Sequence, residues 1–103
     1  MNTHSTYQLE GDMATFVVEW ELEGAGWLSA EQLQGIANRC RTVGLEMESR
    51  LRWLKSYVTE DKFYCVYIAT DVAAVQEHAQ RGEFPVSQIS EVIREVGPEF
   101  AEL

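Results

Sequence analysis

A chain of 103 residues, 46% of them hydrophobic, has the material for one packed domain. Seventeen acidic residues against eight Lys and Arg give a formal net charge of −9, which repels nucleic-acid phosphates and anionic lipid heads. No apolar run reaches the length of a membrane span, and the first residues lack a basic segment followed by an apolar one. A cytoplasmic protein with neither nucleic acid nor membrane as partner is therefore expected.

Residues 1–12 are polar, show no helical or strand period, and close on Gly11-Asp12. They read as an extension ahead of a domain spanning 13–97. Residues 14–22 alternate as a strand, with Phe16, Val18, Trp20 and Leu22 in one row and Thr15, Val17, Glu19 and Glu21 in the other. Glu23-Gly24-Ala25-Gly26 breaks the strand. This Gly-x-Gly lacks the third glycine of a dinucleotide fingerprint and the Gly-Lys-Ser/Thr of a phosphate loop. It reads as a plain connection, and no nucleotide cofactor is expected.

A helix begins at Ser29, whose spacing from Gln32 is that of a capping box. Leu33, Ile36, Ala37, Cys40, Val43 and Met47 recur every three or four residues and form its apolar stripe. Arg39, Arg41, Arg50 and Arg52 make a local basic cluster that Glu31, Glu46 and Glu48 can neutralise, which reads as a mixed, solvated surface.

Two aromatic-rich strands, 50–58 and 62–70, flank the polar turn Thr59-Glu60-Asp61-Lys62. Asp71 then caps a second helix, with Val72, Val75 and Ala79 on its apolar side and Gly82 at its end. Pro85 stops any continuation, and 86–96 alternate as a last strand before Gly97-Pro98. Residues 98–103 read as a flexible acidic tail. The order β-α-β-β-α-β predicts an α+β, ferredoxin-like sandwich. Its four-stranded antiparallel sheet, in the order 4-1-3-2, carries both helices on one face.

Two helices cover only one side of such a sheet, yet both rows of the hairpin strands are apolar. Cys65 and Tyr67 oppose Tyr64, Val66 and Ile68, and Leu51, Trp53 and Tyr57 oppose Leu54 and Val58. A monomer would expose a contiguous patch of a kind soluble monomers rarely tolerate. A homodimer packed sheet to sheet, with a barrel-like α+β centre, is the expected assembly.

Familiar catalytic spacings are absent: no Gly-x-Ser-x-Gly, no His-Glu-x-x-His, no Cys-x-x-Cys. Cys40 and Cys65 read as buried free thiols; either could serve as a nucleophile beside His78 only if folding joined them. Trp20, Trp53, Tyr57, Tyr64 and Tyr67 could line a pocket for a flat organic ligand, but aromatic rows in strands read first as core or interface. His78 is the one histidine within the domain. It is either a transition-metal ligand or a partly exposed helix residue. Glu19 and Glu91 lie between apolar neighbours on strands that the 4-1-3-2 order makes adjacent. On a shared face they would suit a divalent cation or an acid/base pair; otherwise each pairs with Arg94, Arg52 or Lys55.

The run Arg52-Trp53-Leu54-Lys55-Ser56-Tyr57-Val58, then Phe63-Tyr64-Cys65-Val66-Tyr67 and Glu77-His78-Ala79, resembles a family of small bacterial ferredoxin-like proteins. That family, long described as a domain of unknown function, includes a nickel-binding member. The resemblance runs from Ala14 to about Val96, with Val18-Glu19 and Ser90-Glu91-Val92 in its flanking strands. It implies a homodimer holding nickel at the dimer surface, without an established catalytic activity. His78, Glu19 and Glu91 are the positions that fit the pattern and carry donor atoms. Where the family often places an acid and Ala-Pro after Cys-x-Tyr, this chain has Ile68-Ala69-Thr70.

Three functions are compatible with these residues. The resemblance favours a dimeric protein binding nickel or another divalent transition metal. A second is a cofactor-independent monooxygenase or isomerase with an apolar pocket between sheet and helices and a Tyr or His as proton donor. The third is a non-catalytic interaction module.

Overall fold

Large apolar side chains at every second position of β1 (Ala14–Glu21) bury Phe16, Val18 and Trp20 and leave Val17 and Glu19 half-buried on the other side. The computed structural model describes residues 12–102. After β1 come a 3-10 turn (Ala25–Trp27), α1 (Ala30–Glu46), β2 (Leu51–Val58), β3 (Lys62–Ala69), α2 (Val72–Gly82), β4 (Val86–Glu91) and a closing 3-10 turn (Pro98–Glu102). The sheet order is β2-β3-β1-β4 with every pairing antiparallel, which is the expected order read from the other edge. This is the ferredoxin-like arrangement. Of the expected extension 1–12, only Asp12 falls within the described residues, where it is exposed. No helix among the described residues is long and apolar enough to cross a membrane.

Local chemistry sets the helix starts. Ser29 accepts from the Gln32 amide while Gln32 returns a side-chain oxygen to the Ser29 amide, completing the capping box. The Asp71 carboxylate accepts from the Ala74 amide and starts α2. One core joins the layers: Cys40, Val43 and Met47 from the first helix and Ala74 and Val75 from the second pack on Phe16, Val18, Trp20, Phe63 and Tyr67. Trp20 stacks on Phe63 at 4.1 Å and meets Phe84 at 5.5 Å.

Three details depart from the sequence expectation. The last strand ends at Glu91 instead of 96, followed only by the bond from Val92 N to Thr15 O. Ile93 and Val96 are consequently exposed. In β2, Trp53 pairs with Tyr67 and Lys55 with Val66, so Leu54 is an extra, bulged residue. The bulge reverses the alternation after it: Ser56 and Val58 fall opposite core-facing Cys65 and Phe63, while Tyr57 joins Tyr64 on the open face. On α2 the buried stripe is Ala74, Val75 and His78, and Val72 is exposed. Ala74, with only a methyl, brings that flank of the helix close to the sheet.

The end of α2 shows why Gly82 is a glycine. Glu83, with φ 58°, takes the left-handed capping position that glycine usually fills. Gly82 instead stays helical beneath the Phe84 ring, and a Cβ there would enter the ring.

Candidate functional site

Space marks the site more than charge does. Between α1 and the β2–β3 hairpin, the helix offers Ala37 and Cys40 and the strands offer Ser56 and Cys65. Four small side chains cannot fill a helix–sheet gap at ordinary packing density, and a cavity of about 210 Å³ remains. Its inner walls are the buried Trp20, Phe63, Tyr67 and Phe84. Leu33, Ile36, Trp53 and Val58, all partly or largely exposed, form the mouth at the β2 edge of the sheet. The Trp53 indole donates to the Ser56 hydroxyl at 2.9 Å across the bulge, which fixes its ring at that mouth.

Polar atoms in this pocket are few and buried. The Tyr67 hydroxyl lies 3.7 Å from the Cys40 sulfur. Burial pushes the Cys40 thiol up to about 12, against the opposing pull of Tyr67. Cys65 is raised for the same reason, and Tyr67 is raised by burial and then by the two neighbouring thiols. All three are neutral at physiological pH.

His78 sits beside the pocket, not in its lining. It is 1% exposed, with its ring edge-on to Tyr67 at 5.0 Å and stacked on Phe84 at 5.7 Å. Nε2 lies 3.1 Å from the Cys40 carbonyl oxygen, which can only accept, so Nε2 carries the hydrogen. Cys40 Sγ is 3.9 Å from the same nitrogen. Folding does bring a cysteine to this histidine, a pairing no sequence spacing indicated. Burial holds the imidazole below its usual range, against the effect of the Cys40 carbonyl. His78 is a neutral core residue and not the partly exposed one of the alternative reading.

Glu19 and Glu91 do not converge. Glu19 pairs across the sheet with Tyr64 and Gln88 on the open face, and its carboxylate takes the Lys62 ammonium at 2.9 Å. Glu91 pairs with Phe16, whose side chain is on the helix-covered face, and is exposed at the sheet edge. With His78 in the core, the three candidate ligands occupy three separate places. A transition metal needs several donors aimed at one point. Among the described residues no three His, Cys, Asp or Glu gather in that way. The described residues of one chain therefore do not form a nickel site.

The Gly24–Gly26 loop has no amides to spare for a phosphate. Gly24 N donates to Asp61 Oδ1, Ala25 N to Leu22 O and Gly26 N to Glu60 O, which docks the loop on the hairpin turn. A Cβ on Gly26 would lie 3.2 Å from the Glu60 Cα and the Thr59 carbonyl oxygen.

Of the five aromatics considered as pocket walls, Trp20, Trp53 and Tyr67 do line the cavity, while Tyr57 and Tyr64 face away. Ala37 and Ser56 escaped notice as site residues, and Cys40 and Cys65 stood out only as thiols beside His78, not as pocket lining. Their signal is smallness at facing positions, which becomes visible only once strand register is known.

Comparison with known proteins finds a family and a shared fold. A family model described as "SCO4226-like: Nickel responsive protein SCO4226-like" matches residues 16–92. The crystal structure of SCO4226 from Streptomyces coelicolor A3(2) superposes with a TM-score of 0.68 at 19% identity, covering 81% of this chain and 100% of that one. At that identity the likeness concerns the fold. No curated protein matches the sequence.

Proposed function

This chain belongs to the SCO4226-like family of nickel responsive proteins, and from that premise we propose that it binds a small, largely apolar molecule in the Trp20–Trp53 pocket and works as a homodimer. The observation that carries the reading is the cavity of about 210 Å³ walled by aromatic rings and reaching the surface at the β2 edge. Binding is favoured over catalysis. A general acid or base works best with a pKa near the operating pH, whereas Cys40, Cys65 and Tyr67 are all pushed upward and His78 has its Nε2 hydrogen committed to a backbone carbonyl. Dimerisation would cover the open sheet face, where Val17, Tyr57, Tyr64 and Val66 lie together.

The test is titration of the tryptophan fluorescence with naphthalene, on the native chain and on Ala37→Leu, which adds three carbons to the cavity. Saturable quenching in the native chain and its loss in a folded Ala37→Leu support the reading. Equal responses from both chains would sink it.

Nickel or another divalent transition metal is a second reading, and the family description is what favours it. Glu19 is the candidate ligand on the face that a second copy would cover, half-buried and held by Lys62. A metal there would be held between two chains. Calorimetry with nickel, zinc and cobalt on the native chain and Glu19→Gln tests this. Micromolar binding lost in the variant favours it, and silence with all three metals removes it.

A further inference from the structure

The pocket has one feature that hydrocarbon binding does not use. Tyr67 is 3% exposed, and its hydroxyl meets a thiol, that of Cys40 at 3.7 Å. Sulfur is a weak hydrogen-bond partner. A buried phenol ordinarily finds an oxygen or nitrogen, because leaving a buried donor poorly satisfied is costly. The oxygen of Ser56, the other hydroxyl in the lining, already accepts from the Trp53 indole. The hydroxyl of Tyr67 is thus a buried strong donor in the lining that is still suited to an oxygen acceptor.

Size and charge narrow the occupant further. A dry cavity of about 150 Å³ accepts benzene, so about 210 Å³ suits one or two fused rings. The lining holds no Lys, Arg, Asp or Glu to neutralise a charged ligand, and burying an unpaired charge costs far more than such a site returns. Flat rings are matched by the Trp20, Phe63 and Trp53 walls. We propose that the pocket selects a neutral, one- or two-ring aromatic molecule bearing a carbonyl oxygen, which accepts the Tyr67 hydroxyl hydrogen while the rings lie among Trp20, Trp53 and Phe63. This rests on the pocket being a ligand site, and it specifies the ligand class.

Two probes of nearly the same shape separate the claims: naphthalene and 2-acetylnaphthalene, each titrated against the native chain and Tyr67→Phe. The native chain should bind the ketone about tenfold more tightly than the hydrocarbon, the worth of one good hydrogen bond. Tyr67→Phe should lose that preference while holding naphthalene unchanged, which also shows that the variant is folded. If Tyr67→Phe keeps the ketone preference, the Tyr67 assignment is overturned and the pocket reading stands. If neither probe binds the native chain, the pocket reading fails and takes this inference with it.

Discussion

His78 donates its Nε2 hydrogen to the backbone carbonyl of Cys40 at 3.1 Å, tying α2 to α1 behind the pocket wall. The bond needs only hydrogen on that nitrogen, and burial, not the bond, is what favours the neutral imidazole. The core and the site therefore share a hinge point, since Cys40 lines the cavity with its sulfur and holds His78 with its carbonyl.

Acid should destabilise this core, because it places a charge on the buried His78 ring. The folded-state pKa of His78 lies below its ordinary 6.5, so the unfolded chain takes up the proton first as pH falls. The contribution is complete above about pH 6.5 and is lost as pH drops below it, by up to about 1.4 kcal/mol per pH unit from this group. Urea midpoints measured from pH 7.5 to 5 should decline in the native chain. His78→Gln, which cannot titrate, should flatten the slope between pH 6.5 and 5. An unchanged slope would place the acid sensitivity elsewhere.

The thiols should be inert in the folded state. Cys40 and Cys65 are buried and their pKa values are raised, whereas the thiolate is the reactive form. An exposed-thiol reagent at pH 8 should label neither cysteine within minutes, and both should react promptly in strong urea. Prompt labelling of Cys40 in the native chain would mean that the pocket opens far more widely than its walls suggest.

Gly82→Ala should destabilise by roughly 1–3 kcal/mol, the usual cost of overpacking a filled space. The added methyl collides with the Phe84 ring, which stacks on His78 and carries the Arg39 guanidinium at 4.8 Å on its face. Gly35, with open space around its Cβ direction, serves as the control. Gly35→Ala should stabilise α1 by up to about 1 kcal/mol. Thermal melts of the two variants should move in opposite directions.

Dimerisation through the open face makes its own prediction. Val66→Glu puts a carboxylate at the centre of that face, beside Val17 and opposite Lys55. Sedimentation at micromolar concentration should give two chains for the native protein and one for Val66→Glu. A native mass equal to one chain would remove the dimer from the account.

Much of the fold is legible in the residue pattern because each element carries both a period and a boundary. The Ser29–Gln32 box and the Asp71 cap fall where the sequence puts them. The bulge at Leu54 is not legible, since nothing in Trp53-Leu54-Lys55 distinguishes an extra residue from a paired one, and it moves Tyr57 to the opposite face. The length of β4 is not legible either: Ile93 and Val96 continue the alternation, yet the pairing with β1 stops at Glu91 and both are exposed. The candidate site was less legible still. Its aromatic walls stand out in the sequence, while the void depends on Ala37 and Cys40 meeting Ser56 and Cys65 across the layers. The separation of Glu19 from Glu91 is likewise a matter of register, since one residue of slip exchanges the faces.

The three tryptophans supply a direct test of the pocket itself. Trp20 and Trp53 line the cavity, and Trp27, 81% exposed on the Ala25–Trp27 turn, lies outside it. In a nitrogen-15 correlation spectrum each indole gives its own side-chain peak. Titration with 2-acetylnaphthalene should shift the Trp20 and Trp53 indole peaks along saturable curves and leave Trp27 in place. Stationary Trp20 and Trp53 peaks, or a shift confined to Trp27, would contradict a ligand site between α1 and the hairpin.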